Sequence, residues 1–145
     1  MGDMIALVKR APTPPRPDEG ALAAALAEVA RRAAAADAGH EDLGPSIAAL
    51  RGAGLFETLA AYADPSPGPA VVGQIVTLLR RIGRANLAVG RLVEGHLNAH
   101  RLIALYATPE QRASVEAASS GGALLGVWGA DGDPPFSFSS HGDTL

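Results

Sequence analysis

The sequence predicts a mainly helical chain, five helices long, that passes after a glycine pair into a β segment it does not complete. Three observations lead there. The apolar fraction is 48%, much of it alanine, while aromatics make up 4%, a mixture suited to closely spaced helices and poor in the β-branched and aromatic residues a sandwich needs. Apolar residues recur at spacings of three and four from Leu22 to Ile103, the period of helices with one buried stripe. After Gly121-Gly122 the period changes, and Ala123 to Trp128 is a short apolar run bounded by glycines, most simply a strand.

Taken in order, residues 11–17 hold four prolines, which remove backbone donors and favour extended geometry. They read as a flexible arm, either a disordered leader or a docking arm for a neighbouring subunit. The first helix is expected from Asp18 to Asp37, with acids at its start, Arg31 and Arg32 late, and Gly39 past its end. It presents Leu22, Leu26, Val29 and Ala33 on one stripe. A short second helix follows Pro45-Ser46, burying Ile47 and Leu50, and ends in the glycines of Arg51-Gly52-Ala53-Gly54. Leu55-Phe56 then leads into an irregular stretch ending in Asp64-Pro65-Ser66-Pro67-Gly68-Pro69, where three prolines and a glycine make helix and central strand implausible.

The third helix is expected from Ala70, burying Val72, Ile75, Leu79 and Ile82, with Gly83 as terminator. The fourth runs from Ala85 to Tyr106 and carries Gly90 and Gly95, each costing up to about 1 kcal/mol relative to alanine. Such a cost is tolerable where another backbone or a ligand approaches closely. Its stripe passes through Val89, Val93, His96, His100 and Ile103, placing two imidazoles on an apolar face. Thr108-Pro109-Glu110-Gln111 opens the fifth helix with a cap, a proline at the first position and a capping box. One unfinished strand cannot satisfy its own backbone, so the β segment is expected either to join another chain's sheet or to belong to something longer.

A net charge of −3 with scattered arginines argues against a nucleic-acid partner. No apolar stretch approaches the ~20 residues of a membrane span, and the start lacks a signal-peptide order. The absence of cysteine removes disulfides, thiolate metal sites and a cysteine nucleophile. The expectation is a cytoplasmic protein.

Three stretches resemble the acyl-CoA dehydrogenase superfamily. Leu50-Arg51-Gly52-Ala53-Gly54-Leu55-Phe56 is similar to that family's early L-R-x-x-G-L-F segment, and Leu79 to Val89, reading LRRIGRANLAV, resembles its helix pair joined at G-R-A-D-x-S. Tyr106 to Arg112, followed by the glycine pair and Leu124-Leu125-Gly126-Val127-Trp128-Gly129-Ala130-Asp131, is similar to its G-T-x-E-Q helix leading to the T-E-P flavin strand. The resemblance covers about residues 43–131. It implies an N-terminal helical domain over 18–121 behind the 1–17 arm, and the truncated start of a middle β domain over 122–145.

By the same resemblance, FAD would lie between a β domain and a C-terminal bundle of a homodimer or homotetramer acting on an acyl-CoA CH–CH bond or a related small molecule. A carboxylate base in the C-terminal part would remove the α-proton, and this chain stops before it. Flavin contact is carried over only to Trp128, Gly129, Ala130 and Asp131, where Ala130 stands in the place of the family's Thr and Asp131 in that of its Glu. Trp128 is equally readable as a core aromatic. The family's P-G-A-G-S-D is not recognisable in Gly132 to Ser137. The motifs also suit flavin monooxygenases, so substrate and chemistry stay open.

His96 and His100, four apart, are read as satisfied core histidines, as lining of a substrate pocket, or as paired metal ligands. A metal would need carboxylates that the other buried stripes do not offer. The serines near His141 and Asp143 lack a nucleophile elbow, and Gly129 to Gly132 lacks a following helix start. The function expected is the N-terminal part of an acyl-CoA dehydrogenase-like FAD oxidoreductase, inactive and without its flavin when alone. The alternative is a non-catalytic helical interaction module derived from that fold.

Overall fold

The computed structural model of the chain describes residues 16–63 and 67–127. Within them run six helices: α1 (Glu19–Asp37), α2 (Gly44–Gly52), α3 (Leu55–Ala61), α4 (Pro69–Ala85), α5 (Leu87–Tyr106) and α6 (Pro109–Ser120). Helices α1 to α5 share one apolar core, in which α4 lies along α5 and α1 packs on both α2 and α4. Leu22, Leu50, Leu55 and Leu59 lose all solvent exposure there, each such burial stabilising the fold by about 1.5 to 3 kcal/mol.

Local chemistry sets the boundaries. Asp18 caps α1, its carboxylate accepting from the Ala21 amide at 2.7 Å, and Gly39 ends the turn after it at φ 73°. Arg32 bonds both Glu28 and Glu41, tying the end of α1 to the approach to α2. Gly54 adopts φ 70°, a left-handed geometry that costs glycine little, and starts α3 directly. This helix is absent from the sequence expectation. Leu55, Phe56 and Leu59 are its buried face, and Tyr62 just after it is buried as well.

Helix α4 runs through Gly83 instead of stopping there. The boundary is Asn86, extended at φ −159° and buried, which ends α4 and caps α5 through its side chain on the Val89 amide at 3.0 Å. A Cβ built on Gly90 would stand 3.0 Å from the Cα of Gly83. The two helices therefore touch backbone to backbone, the close approach that a glycine inside a strong helix implies. A Cβ on Gly95 would meet nothing within 4 Å. On α4, Val72 is 42% exposed, not buried as expected, and Leu78 joins Ile75 and Ile82 in the core.

Helix α6 starts at the expected capping box, Thr108 and Gln111 exchanging side-chain and backbone bonds, but buries no residue. Residues 123–127 take no regular secondary structure, so the described part of the expected strand is irregular. Its remainder and the β segment to 145 lie outside the described residues, as does the arm before Arg16. Among the described residues no helix is long and apolar enough to cross a membrane.

Candidate functional site

Among the described residues, three of the five buried polar side chains, Asn86, His96 and His100, belong to α5 or its cap. A spacing of four puts His96 and His100 on one helix face, with ring centroids 4.6 Å apart and planes at 76°. Phe56 of α3 meets His96 edge to face at 5.0 Å, and the Arg51 guanidinium of α2 stands 4.8 Å from the Phe56 ring centroid, an attractive cation–ring contact.

Arg51 and His96 both hold backbone from the segment that leaves α6. Arg51 Nη2 donates to the Gly122 carbonyl at 2.8 Å, and the Leu125 amide donates to His96 Nδ1 at 3.0 Å. His100 Nε2 lies 3.3 Å from Ser119 Oγ. Three side chains, Arg51, His96 and His100, thus clamp residues 119–125 to α2 and α5. Gly122 adopts φ 98°, which turns its carbonyl onto Arg51 at a cost only glycine avoids.

Burial holds His96 neutral: its pKa is pushed down to about 4, by desolvation first and then by His100 and Arg51. Burial also lowers His100, against the opposing charge of Glu116. Because Nδ1 accepts the Leu125 amide, the proton of the neutral His96 ring is assigned to Nε2, an atom that is buried and has no partner among the described residues. At neutral pH this imidazole serves as a fixed acceptor of a backbone hydrogen bond and not as a solvent-linked acid or base.

A cleft of about 570 Å³ that shares no lining residue with this cluster opens between the start of α1 and α4. Arg16, Glu19, Tyr62, Gln74, Thr77 and Arg81 supply its polar lining. The Tyr62 hydroxyl donates to Gln74 Oε1 at 3.2 Å, and Arg81 Nη1 reaches both oxygens of Glu19, at 2.9 and 3.2 Å. Burial raises the Tyr62 hydroxyl above its ordinary pKa, with Arg16 acting the other way.

The two histidines assigned to a substrate pocket are therefore brought together, against Phe56 and Leu125, and neither lines this cleft. Trp128, Gly129, Ala130 and Asp131, assigned to flavin, lie outside the described residues. Among the described residues no three histidines, aspartates or glutamates converge as a metal site. Sequence reasoning overlooked Tyr62, Gln74 and Arg81. The available signal was the spacing of Ala70, Gly73, Gln74, Thr77, Leu78 and Arg81, one helical stripe too small and polar to seal against a neighbour. No family model matches this chain, and no curated protein or solved structure matches it significantly.

Proposed function

We propose that these residues serve as the N-terminal helical domain of an acyl-CoA dehydrogenase-like flavoenzyme, oxidising an acyl-CoA CH–CH bond or a related small molecule with FAD held largely by other regions. The observation that supports this reading is the clamp. Arg51 and Phe56 belong to the first of the family-like stretches, and Gly122 and Leu125 to the join before the flavin strand of the third. His96 and Arg51 bond them together, so the backbone leading to Trp128 departs from a fixed point on the bundle. Fixing that departure is what a helical domain must do if the segment after it is to meet a cofactor reproducibly.

In this reading the bundle positions and the chemistry lies elsewhere: the proton-abstracting carboxylate and most flavin contacts come from a β domain and a C-terminal bundle, in a cytoplasmic homo-oligomer. His96 and His100 act on the path of the chain and, through it, on the wall of the acyl cavity. The coding region around this reading frame provides the test. A flanking β domain and helical bundle that purify together with this chain and stoichiometric FAD are the expected result. A region encoding neither, or a joint product without flavin, contradicts the proposal.

A second reading, a helical interaction module without chemistry, draws on the exposed Leu102, Leu105 and Tyr106 of α5 and on α6, which buries nothing. A tight protein partner without flavin would favour it.

A further inference from the structure

Beyond the flavoenzyme reading and independent of it, we infer that the cleft between α1 and α4 is a binding site for a small organic anion with an apolar body. The wall from α4 consists of residues at positions 70, 73, 74, 77, 78 and 81, all on one face of the helix. Beside it, Ile75 and Ile82 close on the core, and Leu78 is shared between the core and the cleft. Here alanine, glycine and threonine leave a gap in place of a seal. The volume, about 570 Å³, falls in the range of small-molecule pockets.

The lining divides by chemistry. Leu22 and Leu78 are buried at the apolar floor. Arg16 and Arg81 bring two guanidiniums, and Tyr62 and Gln74 a bonded pair of polar groups with unused capacity, the hydroxyl oxygen still able to accept and the amide nitrogen to donate. Glu19 is the single carboxylate of the lining. It takes both of its bonds from Nη1 of Arg81, and among the described residues nothing else bonds that guanidinium, so the other edge of the fork remains for a ligand carboxylate or phosphate. A cationic ligand would face two arginines across the same space. The chemistry shared by the candidates is an anionic head on a short apolar tail.

Gly73 makes the site testable without damage to the fold. A Cβ there meets nothing within 4 Å, and a larger residue in a helix interior gains helix propensity over glycine, so Gly73→Leu fills the cleft from its wall. Calorimetric titration of the whole chain with octanoate, octyl phosphate and octylamine is the experiment, repeated on Gly73→Leu and Arg81→Gln after each is shown by thermal unfolding to fold like the parent. Saturable binding of at least one of the two anions is expected, with octylamine inert and affinity lowered about tenfold or more in both variants. The tighter of the two anions identifies the head group. Absence of binding by both anions, equal binding by octylamine, or anion binding unchanged in either variant overturns the inference.

Discussion

At the residue scale His96 sets its hydrogen bond against its own protonation. The ring accepts from Leu125 and is held neutral down to a pKa of about 4, against 6.5 for an ordinary histidine. Below pH 6.5 the unfolded chain takes up a proton that the folded ring refuses, so the unfolded state binds more protons and stability falls as pH drops through this window. The loss amounts to as much as roughly 3 kcal/mol by pH 4, with the lowered His100 adding in the same direction. His96→Gln keeps an acceptor and removes the titration. Urea midpoints measured from pH 7 to 4 should fall less steeply in this variant than in the parent, and an unchanged slope would count against the clamp. The inward position of both histidines was legible in the sequence, from their register with Val89 and Val93. Their partners were not, because Leu125 lies 29 residues from His96 and Ser119 lies 19 from His100, and no local period carries such distances.

At the scale of elements, the crossing of α4 and α5 depends on Gly83 and Gly90. In Gly90→Ala the new Cβ would sit 3.0 Å from Gly83 Cα and 3.2 Å from its N, backbone atoms that cannot yield without moving the helix. A net loss of about 1 to 2 kcal/mol is expected despite the better helix propensity of alanine. Gly95→Ala meets open space and should stabilise by about 0.5 to 1 kcal/mol. Chemical denaturation of the two variants reads both signs, and equal effects would contradict the crossing. Helix α6 buries nothing, and its first turn is held by its cap while Ser119 and Gly122 are bonded at its other end. Thr108→Ala should raise amide exchange in its first turn about fivefold, for a cap contribution of about 1 kcal/mol, while the global midpoint stays in place. The capping box could be read directly because its two members are three residues apart. Gly83 was misread as a terminator because a glycine at a crossing and a glycine at a helix end look alike without the partner helix. The brief α3 was lost beside the turn-formers that follow it, although Leu55, Phe56 and Leu59 already held one helical face.

At the scale of the whole molecule, the helical class follows from composition and period, whereas the cleft depends on three segments, around Arg16, Tyr62 and α4, meeting in space. The β segment expected after Gly122 shows as an irregular, clamped stretch as far as Val127, and the positions assigned to flavin come after it. We propose that this bundle positions a chain whose cofactor is held by other regions. Size-exclusion chromatography with ultraviolet-visible detection tests it, applied to the 145 residues alone and to the product co-expressed with its flanking coding region. A folded species without flavin absorbance is expected in the first case and co-eluting, stoichiometric flavin in the second. Stoichiometric FAD on the 145 residues alone, or none in the joint product, would contradict it.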